Sequence, residues 1–197
     1  MEFRNAKATH LFPDLLWSYD TALDNDLILK DVQSLRTDYP ESRIKSNYGG
    51  WQGPAFSDTE HPYATISSLS NEIRSFINST CETFSIPAEV DSMAWWTNVN
   101  KKNDYNFAHW HGNRTDFIAI YYPAFPKDSG LLVFHRTDGG ALLTQNSVTE
   151  TGTKFPIEGE VGTVYIISGN LLHLVQPHLS DEERISISYN IRCRPLQ

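Results

Sequence analysis

Residues 184–192 read Arg-Ile-Ser-Ile-Ser-Tyr-Asn-Ile-Arg, an unbroken alternation that fits an extended strand and little else. Successive side chains of a strand point to opposite faces. Ile185, Ile187, Tyr189 and Ile191 therefore share one face, and Arg184, Ser186, Ser188, Asn190 and Arg192 the other. An outer strand with its polar face in water would alternate in the same way. Here the polar face is unusual, because Arg184 and Ser186 bring together a planar guanidinium fork and a hydroxyl, a donor set able to hold a carboxylate. If that face lines the interior of a β-roll, the apolar face packs outward beneath helices.

The remainder of the chain supplies both the helices and the roll. Asp26 to Asp38 places Leu27, Ile28, Val32 and Leu35 near a 3.6 period and is stopped by Pro40. Thr65 to Phe84 predicts a longer helix whose Ile66, Leu69, Ile73, Phe76, Ile77 and Phe84 draw one apolar stripe, which is core. From Met93 onward the pattern turns to short β-type runs separated by Gly, Pro, Asn and Asp. These are Ala94 to Val99, Phe117 to Tyr122, Leu131 to Phe134, Ala141 to Val148, Val161 to Ile167, Leu172 to Val175 and Ile185 to Arg192. The expected class is mainly β (α+β), a jelly roll with N-terminal helices packed on one sheet. With 197 residues, 40% hydrophobic content and no linker or internal repeat, residues 1–197 are expected to form a single domain. Its helical front would run over about 1–92 and its jelly-roll core over about 93–197.

Composition removes several functional classes. The net charge is -8 and the Lys and Arg residues are scattered rather than striped, so nucleic acid is not an expected partner. The two cysteines, Cys81 and Cys193, lie far apart without a CxxC partner, which indicates neither a zinc ribbon nor a disulfide framework and fits a reducing compartment. The opening Met1-Glu2-Phe3-Arg4-Asn5 carries no apolar leader, and no run approaches the roughly 18 apolar residues of a membrane span. The chain is expected to be cytoplasmic, with no membrane partner.

The histidines supply chemistry. His109-Trp110-His111 sets two rings one residue apart, so on an extended segment both point the same way and can grip one ion, while His173 from a distant strand closes a facial set. Neutral imidazoles with open positions opposite suit Fe(II) that must also bind substrate and O₂. His10, His61, His135 and His178 lack a partner at metal spacing and read as surface or hydrogen-bonded residues. The five tryptophans read as core and pocket walls. Ser180-Asp181-Glu182-Glu183 and Asp138-Gly139-Gly140 read as turns.

Several further segments carry a family resemblance. They are Leu11-Phe12-Pro13, Ser46-Asn47-Tyr48-Gly49-Gly50-Trp51-Gln52, Trp96 to Asn100, and Asn106-Phe107-Ala108-His109-Trp110-His111. The series continues with Ile120-Tyr121-Tyr122-Pro123, Ser129-Gly130-Leu131 to Phe134, the Gly159 and Gly162 turn, His173-Leu174-Val175-Gln176-Pro177, and Arg184 to Asn190. In this order the chain resembles the 2-oxoglutarate and Fe(II)-dependent oxygenases of the double-stranded β-helix class, and within them a group of small bacterial and phage members. The resemblance implies that His109 and His173 are iron ligands, and that Arg184 with Ser186 binds the distal carboxylate of 2-oxoglutarate. It implies a phenol hydrogen bond from Tyr122 to that cosubstrate, with Tyr121 as second choice, and a structural Ser129-Gly130 turn between two strands. The activity it implies is a dioxygenase, by default a hydroxylase, releasing succinate and CO₂.

One departure stands out, because such enzymes usually carry HxD or HxE and this chain has His111. Three readings stay open: a three-histidine site of His109, His111 and His173; His111 as leading ligand with Gly112 or Asn113 at the carboxylate position; or Asp116 folding back, which strand alternation does not deliver. On the substrate side, Asn98 and Asn100 share a strand face, Asn106 precedes the metal motif and Asn190 shares the face of Arg184. Buried amides need partners, so a small polar or peptide-like substrate is expected, with mutual or backbone hydrogen bonding as the plainer account. Two competing functions remain. One is a three-histidine cupin-type dioxygenase without 2-oxoglutarate, in which Arg184 serves the substrate's own carboxylate. The other is a non-catalytic jelly roll acting as a ligand-binding or phage structural protein.

Overall fold

The computed structural model describes residues 16–59, 61–112, 114–135 and 154–196. Its elements in chain order are β1 (Leu16–Asp20), α1 (Asn25–Asp38), β2 (Asn47–Tyr48), β3 (Trp51–Gln52), β4 (Phe56–Ser57), α2 (Ala64–Thr83), β5 (Ala88–Asn100) and β6 (Tyr105–His109). They continue with β7 (Phe117–Ala124), β8 (Leu132–His135), β9 (Lys154–Ile157), β10 (Thr163–Ser168), β11 (Leu172–Val175) and β12 (Arg184–Pro195). The strand expected over 141–148, the turn at Asp138-Gly139-Gly140, His10, Asn113 and Leu11-Phe12-Pro13 lie outside the described residues.

The strands form two antiparallel sheets, one of seven strands and one of five. The larger runs β1-β10-β7-β12-β5-β3, with β4 also on β5, and the smaller runs β2-β6-β11-β8-β9. This is the double-stranded β-helix architecture, with both helices covering the outer face of the larger sheet. The alternation in β12 explains why the layers stack this way. Ile187, Tyr189 and Ile191 pack with Ile28, Val32 and Leu35 of α1 and Ile66, Leu69, Ile73 and Ile77 of α2 in one buried cluster. Arg184, Ser186 and Ser188 face the roll interior.

β5 pairs along the whole of β12 and repeats the division. Trp95 and Val99 join the helix-side core, whereas Trp96, Asn98 and Asn100 turn inward. The interior of the roll is thus divided by chemistry. Ile118, Ile120 and Tyr122 of β7, with Tyr165 and Ile167 of β10, meet Leu132, Phe134 and Ile157 in an apolar inter-sheet core, and the β5/β12 half is left polar.

The helices are joined by a shared cap. Asp24 caps α1 by accepting from the Asp26 amide at 2.9 Å, but Tyr63 at the head of α2 makes no side-chain cap of its own. Asp31 of α1 accepts instead from the amides of Thr65 (2.8 Å) and Ile66 (3.1 Å). A carboxylate at those orphan donors satisfies them and also opposes the positive end of the helix dipole. Among the described residues no helix is long and apolar enough to cross a membrane.

Several strands had no clear signal in the sequence. β2, β3 and β4 are two residues each, too short for any period, and β9 contains Pro156, which is tolerated because β9 is a sheet edge. Leu27 and Phe84, expected on the helical stripes, are 44% and 56% exposed. Leu27 precedes Ile28 and so points off the buried face, and Phe84 is already the C-cap of α2.

Candidate metal centre

His109 ends β6 and His173 sits in β11, directly paired across the smaller sheet. The register then slips, so that Val175 meets Asn106. This bulge puts Asn106 and His109 on the same interior face although an odd number of positions separates them. His111 lies beyond the strand. Its amide donates to the carbonyl of Gly169 at 3.1 Å, and Gly112 follows with φ +77°, a left-handed conformation that suits glycine. The Gly169 contact holds this segment beside the turn before β11, where the third ring meets the other two.

The three rings offer ligand atoms that all lie within 4.8 Å of one another. Nε2 of His111 and Nε2 of His173 are 3.3 Å apart. On the opposite edge of each ring, Nδ1 faces an oxygen: Phe107 O for His109 (2.7 Å), Leu171 O for His173 (2.8 Å) and Asn190 Oδ1 for His111 (2.5 Å). An Nδ1–H donated outward leaves the Nε2 lone pair free to point inward, the arrangement found behind metal-bound histidines. Trp96 stacks on His111 with centroids 5.9 Å apart, and Phe134 flanks His173.

Burial keeps these imidazoles neutral. Desolvation pulls His173 down to about 3 and His111 to about 4, in each case with a further push from a neighbouring ring, and it lowers His109 as well. The unfolded chain titrates these rings near 6.5. Their folded pKa values lie below that, so the unfolded state binds more protons in between and stability falls as pH falls. The metal-free protein is expected to hold its full stability above about pH 6.5 and to lose it progressively toward pH 4. Urea midpoints measured across that window check the sign, and midpoints that rise on acidification would contradict it.

The pocket they open into is a partly open cleft lined by Trp96, Asn98, Asn100, Asn106, Tyr122, Arg184, Ser186 and Ser188 among others. Arg184 is 2% exposed, and burial pushes its pKa below the usual arginine value. Its Nη1 donates to the carbonyl of Ser129 at 2.7 Å. Among the described residues no carboxylate lies within ion-pair distance of it. A buried cation without a counter-ion is expensive, so this site matches an anionic ligand. Ser186 is buried beside it and accepts from Asn98 Nδ2 at 3.4 Å, which leaves the serine proton free to donate. Tyr122 stands on the pocket wall, whereas Tyr121 gives its hydroxyl to Asn25 at 2.7 Å on the helix side.

Some residues take places that the sequence did not reveal. Asp116 accepts from the amide of Cys193 at 2.8 Å and is not in the metal cluster, so the reading in which it folds back to a metal is corrected. Asn190 does not line the pocket, because its carbonyl oxygen faces His111. The Ser129-Gly130 turn does more than connect strands, since Ser129 O positions Arg184. At Gly130 (φ +74°) a Cβ would sit 2.5 Å from Gln176 O. Of the surface and hydrogen-bonded alternatives, His178 takes the second, fully buried with Nδ1 facing Ser129 O and Nε2 facing Glu182 O. Ser46, 3.3 Å from His109 Nε2, was visible only as part of a motif.

Comparison with known proteins decides the family. Residues 94–190 match the family described as "Putative 2OG-Fe(II) oxygenase". Over these residues it carries the 2-oxoglutarate/Fe(II) oxygenase domain. Fe(II) and 2-oxoglutarate are accordingly the cofactors of this oxygenase, and the converging imidazoles and unpaired arginine fit them. No curated protein matches the oxygenase in sequence. Its fold is shared with a prolyl-4-hydroxylase from Pseudomonas putida (TM-score 0.64, 14% identity, 90% of this chain and 91% of that one covered). It is shared also with a Trichoplax adhaerens prolyl hydroxylase solved with a hypoxia inducible factor peptide fragment (0.67, 14%, 90% and 83%). A third is a viral collagen prolyl hydroxylase from Paramecium Bursaria Chlorella virus-1, solved with 2-oxoglutarate (0.58, 17%, 90% and 95%).

Proposed function

We propose that this oxygenase hydroxylates a small polar or peptide-like substrate, with Fe(II) held by His109, His111 and His173 and the distal carboxylate of 2-oxoglutarate held by Arg184, Ser186 and Tyr122. The observation that carries the reading is the meeting, in one pocket, of three converging imidazoles and a buried arginine with no described carboxylate within ion-pair distance. β12 supports both halves, since Arg184 and the Asn190 that braces His111 lie toward opposite ends of the same strand face. The match to the family favours this reading over a cosubstrate-free cupin dioxygenase and over a non-catalytic roll.

When bound, Fe(II) and 2-oxoglutarate supply O₂ activation coupled to oxidative decarboxylation, giving succinate, CO₂ and oxidation of a C–H bond. The chain supplies orientation. Arg184 presents a fixed donor fork to the cosubstrate, because Ser129 O already holds one of its nitrogens. Ser186 adds a hydroxyl donor whose direction is set by the Asn98 amide. Ile118, Ile120 and Leu132 make the pocket wall apolar on the β7/β8 side and exclude water there.

The substrate class follows from what the pocket leaves unpaired. Asn98 Oδ1 is buried with no hydrogen-bond partner among the described residues. 2-Oxoglutarate has only acceptors to offer, so a donor N–H or O–H on the prime substrate is the complement. Asn100 on the same strand and Asn106 on the other sheet add uncharged polar surface to the pocket. The Trichoplax prolyl hydroxylase was likewise solved with a peptide fragment bound.

The test begins with anaerobic addition of Fe(II) and 2-oxoglutarate to the metal-free protein, where the weak visible charge-transfer band of the chelate is expected. A panel of amino acids, peptides and fatty acids is then assayed for stimulated succinate release. Stimulation by fatty acids alone would refute the polar-substrate reading, and absence of the band would refute the cofactor assignment to these residues.

A further inference from the structure

The three imidazoles are not held alike. Nδ1 of His109 and Nδ1 of His173 each face the backbone carbonyl two residues earlier, Phe107 O and Leu171 O. A backbone carbonyl can only accept, so a neutral ring at either position keeps its proton on Nδ1 and its lone pair on Nε2. Nδ1 of His111 faces the side-chain amide of Asn190 instead. An amide can rotate and present either an acceptor or a donor. With the carbonyl forward, His111 carries Nδ1–H and its Nε2 is a lone pair. With the amino group forward, the proton moves to Nε2, which then donates to the His173 Nε2 only 3.3 Å away and is closed to a metal.

We infer that Asn190 is a positioning residue that selects the ligand atom of His111, and that this amide is what allows a histidine to occupy the place where related oxygenases usually carry a carboxylate. The inference rests on the proposed three-histidine site. Its chemistry is specific. An imidazole at 111 needs an acceptor at 190, whereas a carboxylate at 111 needs a donor, and an amide can serve as either. Trp96 fixes the plane of the His111 ring by stacking, which leaves the tautomer as the remaining freedom. Asn190 is paired with Ala94 across the strand, so no neighbouring side chain on β5 replaces its oxygen.

The experiment titrates metal-free variants with Co(II) under anaerobic conditions, reading affinity from the visible bands, alongside thermal melting of each metal-free variant. Asn190→Leu, which keeps the shape and removes the acceptor, is expected to weaken Co(II) binding about 10- to 100-fold. Asn190→Asp, which can only accept, should bind close to the parent. His111→Asp with Asn190 intact should also bind, since the amide turns its donors toward the new carboxylate. His111→Asp combined with Asn190→Asp should lose binding by more than about tenfold, because two carboxylates then face each other. A general gain in attraction from added negative charge would tighten the double variant instead, so the sign separates the two accounts. In the Zn(II)-loaded parent, nitrogen NMR should show a hydrogen-bonded proton on Nδ1 of His111.

Parent-like affinity in Asn190→Leu, or a double variant that binds as well as His111→Asp, overturns the inference. Should Asn190→Leu fail to fold, the double-variant comparison still decides. His173→Ala is the control for the underlying site. If it binds Co(II) normally the metal reading itself fails, and if it loses Co(II) while the Asn190 variants do not, only the selector role fails.

Discussion

His173→Ala is expected to release the metal and end turnover while leaving the fold in place. The ring is 3% exposed, enclosed by Phe134, His109 and His111, and pinned by Leu171 O. β11 is paired on both sides, to β6 and to β8, so its path does not depend on this side chain. Loss of outer partners of metal ligands already costs about 10- to 100-fold in affinity, and loss of a ligand should exceed that range. Truncation also removes the hydrogen bond to Leu171 O and leaves a void where the ring was, so the metal-free variant should melt below the parent while still unfolding cooperatively. Elemental analysis after dialysis gives the answer directly. Stoichiometric iron in the variant would remove His173 from the site.

The architecture was legible where burial enforces a period. β12 had to be a strand because its two faces differ in every second residue, and its helix-side face could be assigned because Ile187, Tyr189 and Ile191 had to be covered. Both helices announced themselves through stripes ending at Pro40 and near Phe84. The strands that escaped notice are those in which pairing, not side-chain pattern, defines the element. β1 has an alternation of only five residues and is recognisable as a strand through its full register with β10.

The site was legible in residue type and less so in geometry. The spacing of His109 and His111 suggested two adjacent same-face positions of one strand. The rings do converge, but His111 lies past the end of β6 in a segment held by the Gly169 carbonyl, a long-range contact that has no local sequence signature. Asn190 illustrates the limit more sharply. Alternation correctly placed it on the polar face with Arg184, yet whether an amide on that face meets substrate or a ligand ring depends on what the other sheet sets opposite it. The burial of His178 was illegible for a similar reason. It follows from the close approach of the Gln176-Pro177 segment to Gly130, a contact between two loops.

Replacement of Arg184 should separate cosubstrate binding from metal binding. The side chain is buried, one nitrogen is committed to Ser129 O, and no described carboxylate lies within ion-pair distance of it, Asp104 acting on its charge only from farther away. Removing one partner of a buried, charge-assisted pair costs on the order of 2 to 5 kcal/mol. Arg184→Ala is therefore expected to raise the apparent 2-oxoglutarate constant well over tenfold, with Fe(II) binding retained because no ligand histidine touches the guanidinium. Arg184→Lys should recover little, since one ammonium on a shorter reach cannot both satisfy Ser129 O and present a planar fork. Saturation kinetics with 2-oxoglutarate, measured as succinate formed, distinguish the variants, and anaerobic iron titration supplies the control. Normal saturation in Arg184→Ala would move the clamp elsewhere. Arg194 would be a poor successor because it is exposed and paired with Glu89 at 2.7 Å, and Arg192 is exposed on β12 beyond the pocket. The prediction therefore tests the whole assignment of the polar face, not one residue among interchangeable cations.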